Sequence, residues 1–344
     1  MEERFLKLAQ VLPDWYQSHR RDLPWRRDRE PYHVWLSEIM LQQTRVEAVK
    51  GYYLRFLDAL PTVDALAQAE PDLLHKLWEG LGYYTRVRNL QKAARQIIED
   101  HGGVFPTDHR EVLSLAGIGD YTAGAICSIC FEQPTPAVDG NVLRVTSRVD
   151  ACYDPITDAK TKKAVAARLA AVYPAGRCGD FTQSLMELGA TVCVPNGAPH
   201  CDACPCRDFC RAYETGCQME LPVKAAKKER RVEEKTVFLM RCGNQYAVAR
   251  RPETGLLAGL WAFPHVDGKQ SPQAALDQAA AWGVHPKGLL KTVEKSHIFT
   301  HVRWDMTGVY LTCGQPAGPF RWVTAEEIRE EVGLPTAFRQ FWED

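Results

Sequence analysis

The sequence predicts a multidomain protein, an all-α domain followed by a smaller α/β domain. Three observations carry that expectation. Helix-period apolar segments joined by glycine-punctuated turns fill residues 1–221. A charged stretch without periodic apolar residues, PVKAAKKERRVEEK, occupies 222–235 and reads as a linker. Over 236–344 the segments TVFLMRC, QYAVAR, GLWAFPHV and VRWDMTGVYLTC are rich in alternating Val, Phe, Tyr and Trp, as strands are, with helical pieces at SPQAALDQAAAW and TAEEIREEV. A mixed sheet follows from that order.

Composition narrows the function classes. At 344 residues the chain is long enough for two cores, and 45% hydrophobic with 25% charged residues is an ordinary soluble balance. No apolar run spans a bilayer, and the opening MEERFLKLAQ lacks the basic-then-apolar order of a signal peptide. A cytoplasmic protein is expected, nucleoid-associated in a bacterium, without membrane partners. The 12 cysteines then read as thiols or metal ligands rather than disulfides. A net charge of −1 gives no global pull toward a polyanion, so any nucleic-acid contact must rest on a local basic face.

Along the chain, Arg20, Arg21, Arg26 and Arg27 surround Pro24 and Trp25, either as a solvated loop or as an arginine–aromatic surface facing a polyanion. Residues 31–57 read as one helix. Within it Glu38 sits among Val34, Trp35, Leu36, Ile39, Met40 and Leu41 without a basic residue three or four positions away. On the polar edge it is an ordinary glutamate; on the apolar face its pKa rises and it is a proton donor. Gln42, Gln43 and Thr44 follow as a polar patch. A turn at Gly80-Leu81-Gly82 precedes Tyr83, Tyr84, Arg86 and Arg88, which read as a base-stacking platform or as core tyrosines beside surface arginines.

The stretch from Leu113 to Asn141 organises the rest. Asp108 and Glu111 resemble a capping box opening a short helix, and Gly117-Ile118-Gly119 turns the chain into a second apolar helix from Tyr121 to Phe131. Such a turn is a tight helix–helix connection, or a phosphate clamp built from backbone N–H groups at a helix start. Asp139 then places a carboxylate in the bend Ala137-Val138-Asp139-Gly140-Asn141. Residues 157–192 read as helices, in which Gln183 is a surface residue or a pocket group. Cys193, Cys201, Cys204 and Cys210 come next with spacing C-x7-C-x2-C-x5-C, Cys206 being an extra thiol among them. Four thiols so close point to a metal, either a tetrahedral zinc or an iron–sulfur cluster; without a clean pair of CxxC knuckles the cluster is favoured.

SEIMLQQTRVE, GLGYYTRVRNL, LAGIGDYTAGAI with PAVDGNV, and the four-cysteine loop stand in an order that resembles a known family. Residues 20–210 resemble the helix-hairpin-helix DNA glycosylases, and the whole chain resembles the adenine DNA glycosylases among them. The resemblance implies a monomer that flips adenine, mispaired with 8-oxoguanine or guanine, out of double-stranded DNA and hydrolyses its N-glycosidic bond. It implies Glu38 as general acid, Asp139 as the group that stabilises or traps the oxocarbenium-like sugar, and Tyr121 and Asn141 as their support. Like a glycosidase pair, the two carboxyls should have pKa values pushed apart. Arg26 and Gln183 would face the adenine, Gln43 and Tyr83 would wedge into the duplex, and Gly117 and Gly119 would bind phosphate. Cys193, Cys201, Cys204 and Cys210 would hold a [4Fe-4S] cluster in a loop at 193–210, although the family commonly has one residue fewer between the first two.

The related endonuclease III enzymes carry a lysine where this chain has Tyr121, and a tyrosine cannot form a Schiff base. A monofunctional glycosylase is therefore expected over a glycosylase/lyase. The C-terminal domain resembles a Nudix-like lesion reader, with Phe299-Thr300-His301 where the family has Phe-Ser-His, so that Thr300 keeps the hydroxyl that would bond 8-oxoguanine. SPQAALDQAAAWGV lacks the glutamates of a magnesium-binding Nudix helix, so no pyrophosphatase activity is expected. A non-catalytic lesion-binding protein is the reading from another class, and the two carboxylates argue against it.

Overall fold

The structure, a computed structural model, describes residues 2–225 and 229–342; residues 226–228 of the stretch read as a linker lie outside the described residues. The chain divides into two units, Met1–Gln68 with Asn89–Ala226 and Ala69–Arg88 with Lys227–Asp344. Among the described residues no helix is long and apolar enough to cross a membrane.

The first unit is helical. Helices α1 (Glu2–His19), α2 (Pro31–Leu41), α3 (Val46–Ala59) and α4 (Val63–Gln68) open it. Helix α5 (Pro71–Leu77) falls in the second unit, and α6 (Thr85–His101) begins there and runs into the first. Then come α7 (His109–Ser114), α8 (Asp120–Phe131), α9 (Gly140–Asp150), α10 (Ala159–Ala170), α11 (Cys178–Thr191) and α12 (Arg211–Thr215). Phe5, Leu8 and Leu12 of α1 share one face at helical spacing and pack on Val142, Val145 and Val149 of α9 and on Phe181, Leu185 and Leu188 of α11. Each such side chain contributes about 1.5–3 kcal/mol by leaving water. Helix α8 is buried from Thr122 to Ile129 and packs against α2, α7 and α11, so it is the centre of the unit.

One local expectation needs correction. The segment 31–57 is two helices, because the chain leaves α2 at Gln42 and Gln43 adopts φ +59 before α3 starts. No Gly or Pro marks that break; a turn bond from Thr44 N to Leu41 O at 3.3 Å closes it. Helix α1 lies ahead of the arginine-rich segment, in which Trp25 is buried.

The second unit is α/β, built on β1 (Arg231–Cys242), β2 (Gln245–Arg250), β3 (Trp261–Ala262) and β4 (His265–Asp267). Helix α13 (Pro272–Ala281), β5 (Pro286–Ile298), β6 (Val302–Cys313), β7 (Arg321–Thr324), α14 (Ala325–Glu330) and α15 (Thr336–Arg339) follow. The sheet order is β3-β2-β1-β6-β5, with β4 on β1 and β7 on β2; β1 and β6 run parallel and their other neighbours antiparallel, so the sheet is mixed. Alternation sorts the faces. Val237, Leu239, Trp304 and Met306 point to a core shared with Phe338 and Phe341, while Phe238, Met240, Val309 and Leu311 point to one shared with Ala275 and Ala279 of α13. Strand β1 starts within the charged stretch read as linker, because Arg231–Lys235 pair in register with Val302–Met306. Strand β5 was not anticipated: it is an edge strand with most residues exposed, so it lacks the half-buried alternation that marks a strand.

Candidate active site

A cavity of about 650 Å³ opens in the helical unit, and Arg26, Glu38, Gln43, Tyr121, Asp139, Asn141, Gln183 and Glu187 all line it. Helices α2, α8, α9 and α11 supply most of these residues, so residues far apart in the chain meet on a rigid frame.

Asp139 is the N-cap of α9. Its Oδ1 accepts the Val142 N–H at 2.8 Å and its Oδ2 accepts Asn141 Nδ2–H at 2.6 Å. A carboxylate there satisfies a helix-start donor and meets the positive end of the helix dipole. Burial nevertheless raises its pKa, with the donors from Val142 and Asn141 opposing the rise. Asn141 is held in turn by Arg144 Nη2, which donates to its Oδ1 at 2.8 Å and to Gly189 O at 2.7 Å. A Cβ at Gly189 would sit 2.6 Å from Asn141 Cβ, so the glycine is what lets α11 approach α9 here.

Glu38 is buried, with 6% of its surface exposed, which resolves the two sequence readings in favour of the apolar face. Loss of water raises its pKa to about 7; the Tyr121 hydroxyl, which donates to its Oε2, pulls the other way, and Asp139 adds to the rise. Near neutral pH the carboxyl can therefore donate a proton. The Tyr121 pKa is itself pushed well up by burial and by the two carboxyls, so the phenol stays a donor. Both carboxyls are pushed up, because both are desolvated, and the donors from Val142 and Asn141 oppose the rise at Asp139.

Arg26 is not solvated. It donates to Glu187 at 2.9 Å, and Arg21 donates to the same carboxylate through Nη2 at 2.8 Å. Burial opposes ionisation of Glu187, but the bonds from Arg21 and Arg26 outweigh it and hold the pKa at about 2. This cavity-lining anion was not found from sequence, where it reads as an ordinary helix acid. The unexplained arginines near Trp25 were the signal that some carboxylate had to answer them. Gln183 is half-buried on the wall.

The turn Leu115–Gly119 exposes Gly117 and Gly119 ahead of α8, with Gly119 as its N-cap. Gly117 has φ +77, and a Cβ there would meet Asn89 Cβ at 2.6 Å, so conformation and space both require glycine. Asp108 caps α7 by accepting from Arg110 N and Glu111 N.

Within the second unit, Phe299, Thr300 and His301 form the tip joining β5 to β6, closed by Phe299 N to Val302 O at 2.8 Å. Phe299 is anchored edge-on against Trp304 at 4.9 Å, leaving Thr300 and His301 exposed. The Thr300 and Tyr83 hydroxyls are 2.9 Å apart, and both residues line a cavity of about 430 Å³ with Phe299 and His301. Tyr83 is 47% exposed whereas Tyr84 is 5% exposed, so only the first is free to stack. Arg86 lies over the Trp78 and Tyr83 rings and bonds Leu81 O, and Arg88 bonds Ala258 O. Gln43 and Tyr83 both have positive φ, a left-handed backbone that costs about 1–3 kcal/mol in a residue with a side chain and clusters at functional sites.

The [4Fe-4S] expectation is overturned. Among the described residues no group of three or more His, Cys, Asp or Glu is gathered as a metal ion requires. Cys193, Cys201, Cys204 and Cys210 border one small cleft without gathering as a metal site. Cys193 Sγ accepts from Arg148 at 3.2 Å and Cys210 Sγ donates to Arg148 O at 3.5 Å. Burial raises the pKa of Cys193 and Cys201, and that of Cys210 to about 11. A hydrogen bond with Cys206 lowers Cys204 to about 7. Spacing and the family resemblance suggested a convergence that the described residues do not show, and 193–210 is not a cluster loop.

Comparison with known proteins defines the class first. Residues 36–173 match the HhH-GPD superfamily of base excision DNA repair proteins and residues 236–344 match the NUDIX domain. The adenine DNA glycosylase of Rattus norvegicus is 36% identical over 394 residues, covering 96% of this chain and 76% of its own length. That of Homo sapiens is 37% identical, covering 96% and 72%. A solved structure of a thermostable thymine-DNA glycosylase superposes with TM-score 0.55 at 28% identity, covering 62% of this chain and 98% of that one. The chain belongs to the adenine DNA glycosylase family within the HhH-GPD superfamily, and is a base-excision-repair enzyme, a hydrolase of the DNA glycosylase class.

Proposed function

We propose that the enzyme removes adenine mispaired with 8-oxoguanine, or with guanine, from duplex DNA by hydrolysing the N-glycosidic bond, acting as a monomer and without cleaving the strand. The observation that carries this reading is the single cavity holding Glu38, with its pKa near 7, together with Asp139. The choice of adenine is supported by the relatives, which are adenine DNA glycosylases.

The adenine leaves the stack and enters the cavity, at a cost of a few kcal/mol in lost stacking. Glu38 donates its proton to a ring nitrogen of the base. The bond from C1′ to the base breaks, and the electron pair leaves with the neutralised adenine. General acid help of this kind is worth about 10²–10⁴ in rate. Asp139 stabilises the oxocarbenium-like sugar or closes on it covalently. Water adds to C1′ and gives up a proton to a carboxylate of the cavity. Tyr121 orients Glu38 and Asn141 orients Asp139. Arg26 and Gln183 hold the base, Arg26 being fixed by Glu187. Gly117 and Gly119 offer backbone N–H groups to phosphate, and Gln43 and Tyr83 enter the duplex. Thr300 reads 8-oxoguanine from the β5–β6 tip, with Phe299 and His301 shaping that tip. No amine replaces Tyr121, so no Schiff base forms at that position.

The test is incubation with duplexes carrying A:8-oxoguanine or A:T, followed by alkali. Scission of the adenine strand only after alkali, and only in the mispair, is expected. An uncut strand means a binder without chemistry, and scission before alkali, with a borohydride-stable adduct, means a lyase.

A further inference from the structure

The cavity wall carries a polar contact outside the Glu38–Asp139 pair. Tyr16 on α1, fully buried, donates its hydroxyl to Gln183 Oε1 at 2.9 Å. On its other side the Gln183 amide donates from Nε2 to Gly179 O at 3.5 Å. A main-chain carbonyl only accepts, so the amide nitrogen belongs on the Gly179 side and the oxygen on the Tyr16 side. Turning the amide over would set two oxygens face to face at Gly179. The Tyr16 ring is itself fixed: the Arg26 guanidinium lies 5.4 Å from its centroid, and that arginine is pinned by Glu187 at 2.9 Å. Burial holds the Tyr16 proton on its oxygen.

We propose that Tyr16 is a positioning residue that sets base preference, by locking the Gln183 amide so that its remaining N–H, a donor, is offered to the bound base. The inference rests on adenine being the base excised. Adenine carries an unprotonated N1, an acceptor, on its Watson–Crick edge, where hypoxanthine and guanine carry N1–H. A fixed donor bonds the first and opposes the others. Without the Tyr16 bond at 2.9 Å only the longer 3.5 Å contact to Gly179 O holds the amide, and an amide that turns serves both, because either its oxygen or its nitrogen can face the base. Tyr16 touches no substrate; it acts through Gln183.

Single-turnover excision from two duplexes, adenine or hypoxanthine opposite 8-oxoguanine, tests this in the full-length enzyme. Tyr16→Phe keeps the ring on Arg26 and removes only the hydroxyl. The ratio of the adenine rate to the hypoxanthine rate is expected to fall about tenfold, the worth of one net hydrogen bond. Equal slowing of both substrates, or no change in either, overturns the proposal, since a merely structural role moves both together. Gln183→Glu is the second variant: its carboxylate still accepts from Tyr16 but has no N–H for the base, and the ratio should fall at least as far. An unchanged ratio there overturns the proposal even if Tyr16→Phe does not fold. A wild-type enzyme that releases no adenine overturns the adenine assignment itself; one that does, with both ratios unchanged, overturns only the role of Tyr16.

Discussion

Tyr121→Phe should move the pH limb of excision upward. Glu38 acts in its protonated form, and burial raises its pKa from 4.5 to about 7. At pH 7.5 an ordinary glutamate is about one part in a thousand protonated and a group at pKa 7 about a quarter, so desolvation supplies roughly 200 times more acid. The Tyr121 hydroxyl works against this, because a donor to the carboxylate favours the ionised form. Removing it leaves desolvation and Asp139 opposed only by Arg26, and the Glu38 pKa rises further. The assay is single-turnover adenine release from an A:8-oxoguanine duplex between about pH 5.5 and about pH 9, following the midpoint of the alkaline limb rather than its height. In the wild type the rate should fall through about pH 7 as Glu38 ionises. In Tyr121→Phe the midpoint should lie higher. A midpoint that stays put or moves down refutes the assignment of the limb to Glu38 under Tyr121 control.

Other perturbations follow from the same contacts. Asp139→Asn keeps an N-cap oxygen for Val142 but removes the negative charge, so excision should fall by about a thousandfold or more while duplex affinity, measured by gel shift, is retained. Glu187→Gln leaves Arg26 buried without its anion and should cost about 3 kcal/mol in urea unfolding. Because the Glu187 pKa lies near 2, below the ordinary 4.5, that cost should be full above about pH 4.5 and shrink as the pH falls toward 2; a pH-independent difference would contradict the ion-pair account. Thr300→Ala removes the hydroxyl that meets Tyr83 and should reduce the preference for 8-oxoguanine over guanine about tenfold, with little effect on adenine release opposite guanine; equal losses on both would contradict it.

Glu38 was legible because a lone carboxylate in an apolar helix has few places to go, and Asp139 because a bend flanked by glycine and proline isolates it. Glu187 and Tyr16 were not legible: what distinguishes them is arginines and an amide more than 150 residues away in the chain, brought in by α1 and α11 packing together. The helix–turn–helix at Gly117 could be read because its cause is local, a backbone angle only glycine adopts freely. The cysteine loop misled for the converse reason. Spacing says how far apart thiols are along the chain, but whether their sulfurs converge depends on neighbours such as Arg148, which no local pattern reveals. Strand β5 escaped because an exposed edge strand has no buried face to impose alternation.

The central claim is that one everted adenosine is held between Glu38 and Asp139. Its most direct test is a structure of Asp139→Asn with an A:8-oxoguanine duplex. The adenine should lie outside the stack in the 650 Å³ cavity, a ring nitrogen within hydrogen-bond reach of Glu38 and C1′ facing residue 139. An adenine still stacked in the duplex, or bound away from Glu38, would contradict the account.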